Sequence, residues 1–465
     1  MSRDAWWLSV LTVLALLTRF AMLNHPRQVV FDEYHFGKFV NGYITGKYFF
    51  DIHPPLGKIL IAAVGWMGGY DGSQGWEKIG DDIAPSVNLL ALRGAPALQG
   101  SLLVPLMYAT ARALGISEPA SLVVACGVLL DGCFLVESRL VLTDATLLLC
   151  LALQIFGCAS AAAHAPLSRP WVLRTALGGL GVAGAVCTKW TGVSALGMAG
   201  LHTLVMLLTG LAAGWGGASW AERRGLLGGL LRHGFASAGL LLLLPMAMCA
   251  VAPRPVPPRR SDRRHDPHDP HGPMDLTRVR FLPPRPRSHH RLLLSSVSSS
   301  PPPPLPRGRY VLCFYVHFAL LPSTGPGVGF MTPRFRATLA GDEYTPAALA
   351  EFVRSGQRTK YGVLTDARLP DFWGKFVELN FEMLRANEAI RTGHDWGSRW
   401  WEWPLMHRSV LYWVAKAPGY TAPSLGSTAA RVYCIGTPIV WCPSPPLKTS
   451  LLLARWRHDL ATISS

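Results

Sequence analysis

The residues best suited to chemistry stand in one stretch near the N-terminus. Phe31-Asp32-Glu33-Tyr34-His35-Phe36-Gly37-Lys38 is followed by Tyr48-Phe49-Phe50-Asp51-Ile52-His53-Pro54-Pro55-Leu56-Gly57-Lys58. Asp32 and Glu33 come about eight residues after an apolar run. Close to a membrane a carboxyl group meets a lower dielectric, which raises its pKa and suits it to taking a proton from a hydroxyl. His53-Pro54-Pro55 predicts a rigid, extended turn, because proline fixes its own φ and restricts the residue before it. With Gly57 permitting close backbone approach and Lys58 adding a cation, such a turn could hold a phosphate. Plainer readings stand beside these: Asp32 capping a short helix, and the Pro-Pro turn leading only into an amphipathic helix over 56–69. Arg139 is a second cation at a helix corner, either snorkelling to the interface or serving a site. Asp144 lies about a turn further on, placed to pair with Arg139 or to cap the helix. Lys189, beside Trp190 and Gly192, reads as a snorkelling lysine. Asp32, Glu33 and His35 could together offer metal ligands, but their spacing matches no established ligand pattern. Phosphate-loop, dinucleotide and Ser-nucleophile motifs do not occur.

These residues need a membrane scaffold to position them. Of the 465 residues half are hydrophobic and 15% are charged, against about 25% charged in soluble domains. Apolar runs approaching the roughly 20 residues that cross a bilayer predict seven spans, at about 5–23, 91–112, 119–136, 141–163, 174–188, 192–214 and 226–250. Each must be helical, since backbone in lipid has to satisfy its own hydrogen bonds. The fold class is therefore mainly α, a polytopic α-helical membrane protein. The first run keeps Trp6, Trp7 and Arg19 and has no small-residue cleavage site, so it reads as an uncleaved helix rather than a signal peptide. Arg169 and Arg174 in one connection, and Arg223 and Arg224 in another, put those loops on the cytoplasmic side. Counting through the spans puts the loop 24–89 and the corner Glu137-Ser138-Arg139 together on the opposite side.

The net charge of +16 does not point to nucleic acid. Twelve Arg against four Asp fall between 254 and 309, in a Pro- and Arg-rich stretch without interleaved aromatics or a folded basic face. Its composition predicts a disordered insert over 253–308. The cysteines show no paired spacing and read as small buried hydrophobes. The organisation that follows is a membrane domain at 1–252 with the loop 24–89, the insert at 253–308, a helix remainder and luminal segment at 309–340, a linker at 341–370, and a C-terminal region at 371–465. Trp-rich residues 371–420 are expected to form amphipathic helices at a membrane surface.

The two loop strings, at their mutual separation, are similar to the first luminal loop of the dolichyl-phosphate-mannose–protein mannosyltransferases. Later blocks resemble that family in the same order: Glu137-Ser138-Arg139 to Asp144, Lys189-Trp190-Thr191-Gly192, Phe314-Tyr315-Val316-His317-Phe318, Phe372-Trp373-Gly374-Lys375-Phe376, Trp403-Pro404-Leu405 and Gly436-Thr437-Pro438. The resemblance implies a GT-C type glycosyltransferase of the endoplasmic reticulum membrane. Its substrates are implied to be dolichyl phosphate mannose, the lipid-linked donor, and Ser/Thr-containing acceptor polypeptides, with inversion at the sugar. It implies Asp32 as general base, Glu33 orienting loop or acceptor, and Arg139 with His53 and Lys58 neutralising the departing phosphate. His35 and Asp144 would support them. Neither a metal nor a cofactor is required, and a homo- or heterodimer with a related mannosyltransferase is implied.

Three departures accompany the resemblance. The family's β-trefoil luminal domain is expected to be missing, because only about 40 residues, 332–370, occupy its place, and the family's last membrane spans are expected to be missing too. Leu241 to Cys249 and Tyr310 to Leu321 resemble two halves of one family helix split by the insert. These departures allow an alternative, a catalytically inactive paralogue acting as a partner subunit or scaffold.

Overall fold

The computed structural model describes residues 2–215, 220–243, 309–356, 358–359, 362–363, 366–390, 402, 409–414 and 431–434. Within them the chain is mainly helical, and the helices stand where apolar periodicity places them. Helix α1 (Arg3–Phe20) starts at Ser2, whose hydroxyl accepts from the backbone of Ala5, and has Asp4 in its first turn. The loop that follows carries α2 (Glu33–Thr45) and α3 (Leu56–Met67). Helix α4 (Leu89–Ala113), capped by Asn88, accommodates Pro96 and Pro105. Then come α5 (Glu118–Leu130), α6 (Gly132–Glu137), α7 (Asp144–Ala161), α8 (Arg169–Val186), α9 (Val193–Trp215) and α10 (Trp220–Ala238), the last running into a π-helical turn at Gly239–Leu243.

Among the described residues three helices, Leu89–Ala113, Asp144–Ala161 and Trp190–Ala212, are long and apolar enough to cross a membrane on their own, and Leu56–Met67, Glu118–Leu130 and Tyr310–Leu320 are apolar but shorter. The span expected at 119–136 is interrupted: Asp131 is extended, and its carboxylate instead caps α6 by accepting from the backbone of Phe134. Arg19, buried in α1, donates to the carbonyls of Val128 and Leu129 and so satisfies the end of α5. The span expected from 141 begins only at Asp144. The approach of α7 to α8 depends on small residues, as in packed membrane helices. A Cβ on Gly157 would lie 2.3 Å from the backbone nitrogen of Gly178.

Beyond the insert, α11 (Arg309–Leu320) lies against α2 and α8. The short helices α12 (Pro333–Arg336) and α13 (Pro346–Arg354) follow, then the small β1–β2 hairpin (Arg358–Thr359, Gly362–Val363). The expected linker at 341–370 thus carries local structure of its own. Helix α14 (Phe372–Glu388) fits the amphipathic expectation, whereas β3 (Val410–Val414) does not. It is a strand, rich in β-branched and aromatic residues, paired antiparallel with β4 (Arg431–Cys434). The insert 253–308, the half-helix at 244–249 and the blocks at 403–405 and 436–441 lie outside the described residues.

The largest apolar cluster belongs to the loop region rather than to the span helices. It joins Val29, Val30, Tyr48, Trp76 and Leu89 to Val141 and Leu142, and to Phe314, Met331, Phe335, Leu379 and Tyr412. The segment after α11 is stitched in by main-chain bonds: Tyr48 donates to the Ser323 carbonyl (2.7 Å), Ser323 to that of Gly46 and Thr324 to that of Ala340.

Candidate active site

Both carboxylates of the loop sit at the start of α2, in different settings. Asp32 is half-buried at the residue preceding the helix, with its carbonyl accepting from the backbone of His35 and Phe36. Glu33 is fully buried. Its Oε2 lies 2.7 Å from Nη2 of Arg93 and its Oε1 2.8 Å from Nε, a fork-on-fork pair. The same carboxylate accepts from the backbone N–H of Val30 (3.0 Å) and Val141 (2.9 Å). The other guanidinium donors reach the carbonyls of Leu23, Pro26 and Gln28. A buried ion pair is tolerable only when its remaining hydrogen-bonding capacity is met in this way. Glu33 therefore braces α2 against α4 and the 137–144 corner, and these bonds fix the backbone from which Asp32 projects.

Arg93 was not among the residues singled out from the sequence. The signal was present, since an arginine inside an otherwise apolar helix marks a functional or structural partner by default.

The 51–58 turn builds a second group. Lys58, buried at the start of α3, pairs with the Asp51 carboxylate and donates to the His53 carbonyl at 2.7 Å. Its ammonium also lies 5.3 Å from the ring centroid of Phe39. The turn docks on the far corner of the bundle: Leu56 N–H donates to the Cys187 carbonyl (3.0 Å) and Trp190 Nε1 to that of Ile52 (2.8 Å). Lys189 grips Asp144 with 2.7 and 2.8 Å contacts. Asp144 thus pairs with Lys189 rather than Arg139, and Lys189 is an ion-pair partner rather than a snorkelling side chain. His53 lies within the electrostatic reach of Asp51, Lys58, Lys189 and Asp144, but burial dominates and lowers its pKa. At neutral pH it is a neutral imidazole that can donate one hydrogen bond, not a cation. Among the described residues its buried Nδ1 has no hydrogen-bond partner, an atom a bound group could use.

Gly57 makes this docking possible. A Cβ there would meet Thr143 Cγ2 at 2.7 Å and Thr143 Cβ at 2.8 Å. Gly57→Ala is expected to cost about 1–3 kcal/mol through overpacking, read as a lower Tm in detergent, with Gly75→Ala, where a Cβ meets nothing within 4 Å, as the neutral control.

Arg139 and His35 are placed away from this group. Arg139 donates from Nη1 to the carbonyls of Thr18 (2.7 Å) and Arg19 (3.2 Å) and from Nη2 to that of Ala21 (2.7 Å). It neutralises the carbonyl end of α1, where a cation is favourable. His35 is exposed on α2, its ring against Tyr34. Among the described residues no group of three or more potential ligands could hold a metal ion.

Strand β3 closes one side of the site, which the sequence did not reveal. The Phe31 N–H donates to the Tyr412 carbonyl at 3.1 Å, and the two rings stack with centroids 3.8 Å apart. The Tyr412 hydroxyl donates to Glu137. Burial raises the Glu137 carboxyl to about 8, with the Asp144 carboxylate adding to the rise and the Tyr412 hydroxyl opposing it. The ordinary value is 4.5, so between the two the folded chain holds a proton that the unfolded chain releases. Stability contributed by this group falls as pH climbs through that window. The difference between wild type and Glu137→Gln in Tm plotted against pH is expected to show that slope.

The geometry can be set beside known proteins. A family described as dolichyl-phosphate-mannose-protein mannosyltransferase matches residues 9–254, more than half of the chain. The chain belongs to this family. A second description, the C-terminal four-membrane-span region of protein O-mannosyltransferase, matches residues 372–452. Mannosyltransferase 4 of Candida albicans is 33% identical over 342 residues, 71% of this chain and 35% of that protein. Mannosyltransferase 4 of Schizosaccharomyces pombe is 40% identical over 186 residues, 39% of this chain and 24% of that protein. This mannosyltransferase-family chain therefore spans about a third of those relatives' length or less. The protein O-mannosyltransferase Pmt1-Pmt2 complex of Saccharomyces cerevisiae, solved bound to the sugar donor, matches with a TM-score of 0.56 and 25% identity, over 74% of this chain and 38% of that one. The fold is thus a polytopic helical membrane fold of the GT-C type, and the protein is a multi-pass membrane protein.

Proposed function

We propose that the chain transfers mannose from dolichyl phosphate mannose to Ser/Thr hydroxyls of secretory-pathway polypeptides at the endoplasmic reticulum membrane, with the 24–89 loop luminal. The observation that carries this reading is the Glu33 brace, which ties the Asp32 loop at once to α4, through Arg93, and to the corner at Val141. Asp32 accepts the proton of the acceptor hydroxyl, whose oxygen attacks the anomeric carbon as the bond to the dolichyl phosphate oxygen breaks. One displacement of this kind inverts the sugar. Fixing the base in advance matters because misplacement by about 1 Å can cost 10²-fold in rate.

The departing phosphate meets the 51–58 turn. There His53 offers a neutral donor, and Lys58 and Lys189 supply charge held in place by Asp51 and Asp144. Arg139 contributes positive potential from the end of α1. No step calls on a metal or other cofactor. The chain works beside a second, related subunit, a reading supported by the two-component complex among its structural relatives.

The test is transfer of labelled mannose from dolichyl phosphate mannose to a Ser/Thr-rich peptide by microsomes containing the chain, alone and with a full-length relative. Labelled peptide is the expected result. Absence of label in both settings would replace the enzyme reading with that of a non-catalytic partner.

A further inference from the structure

Read along the sequence, Cys133 and Cys434 are unrelated small hydrophobes. In the fold, α6 carries Cys133 and the end of β4 carries Cys434, and their sulfurs lie 3.4 Å apart. Both residues are half-buried, reachable by a small thiol reagent. The Cys434 thiol also donates to Oε1 of Glu137 at 3.6 Å. We propose that Cys133 and Cys434 form a disulfide that pins the β3–β4 hairpin to the 131–139 corner and so holds Tyr412 over Phe31, next to Asp32.

The geometry requires little movement. A disulfide bond is about 2.0 Å long, so the sulfurs must close by a little over 1 Å, within the reach of side-chain torsions. The hairpin transmits the link. Cys434 is registered opposite Val410, and Tyr412, two residues on, stacks on Phe31. The chemistry balances as thiol–disulfide exchange with a small-molecule disulfide such as oxidised glutathione. The Cys434 thiolate attacks one sulfur of that disulfide and expels the first thiolate. Cys133, deprotonated, then attacks Cys434 Sγ in the mixed disulfide and expels the second. The two protons lost by the cysteines end on the two thiols released. The hydrogen bond from Cys133 holds the Cys434 thiol below its ordinary value, to about 7, which favours Cys434 as the first attacker. An oxidising setting rests on the luminal orientation proposed above.

The test uses the full chain purified in detergent, reduced, then equilibrated with reduced and oxidised glutathione in increasing ratio and mapped by peptide mass spectrometry. A Cys133–Cys434 cross-linked peptide is expected, together with a higher Tm for oxidised than for reduced wild type, a difference that Cys133→Ser removes. In that variant Cys434 is expected to carry a glutathione adduct instead. Wild type that folds by its Tm, yet keeps both cysteines free or places a separate glutathione on each, overturns the proposal. A glycosylation tag in the 24–89 loop reads orientation independently. An unmodified tag with a cross-link that forms in detergent upholds the pair and removes the luminal reading.

Discussion

Arg93→Ala is expected to lower the stability of the loop region by about 3–5 kcal/mol, the scale for removing one partner of a buried ion pair. The size follows from what is left behind. Glu33 is fully buried, and without the guanidinium its charge keeps, among the described residues, the two backbone donors of Val30 and Val141. Three carbonyls, of Leu23, Pro26 and Gln28, lose their donor at the same moment. Arg93→Lys should recover little, because an ammonium is a point charge and cannot serve five acceptors laid out for a planar fork. A double variant, Glu33→Gln with Arg93→Met, should lie above Arg93→Ala in Tm, because it removes the stranded charge. Thermal unfolding in detergent measures all three, and an Arg93→Ala protein melting with wild type would remove Glu33 and Arg93 as the brace.

Asp32→Asn should have the opposite profile, with stability kept and transfer lost. Removing a general base typically costs 10²–10⁴-fold, and the amide keeps the size of the carboxyl while losing its capacity to take a proton. The side chain is half-buried at the head of α2 and the amide fills the same volume, so Tm is expected to fall far less than in Arg93→Ala, which strands a buried charge. Donor binding should persist, since the turn with His53, Lys58 and Lys189 is untouched. A variant retaining wild-type transfer would pass the role of base to another group.

The sequence was most informative where one residue type has one physical meaning. Apolar runs placed the helices, because a bilayer leaves the backbone few alternatives. Asp131 escaped that reading because one carboxylate in an apolar stretch barely alters mean hydropathy, yet it caps α6 and ends α5. Asp32, Glu33 and His53 were legible through their motif, whereas their partners were not. Which acid Lys189 would hold, or that Arg139 would turn to the carbonyl end of α1, depends on how the helices are brought together. Residues 60 or more positions apart, such as Glu33 and Arg93, leave no local trace of their pairing. Tyr412 and Cys434 were harder still, because strands of five and four residues in a Trp-rich region look like helix by composition and declare themselves only by pairing.

The stitching of Ser323 and Thr324 to the first loop has a consequence for how the chain is made. The cluster around Tyr48 and Trp76 also contains Phe314, Met331, Phe335, Leu379 and Tyr412, so it cannot close while those residues are still on the ribosome. At about 5–20 residues per second of synthesis, the roughly 360 residues from Tyr48 to Tyr412 take about 20 to 70 s. For that interval the aromatic side chains of the loop wait with their partners unmade.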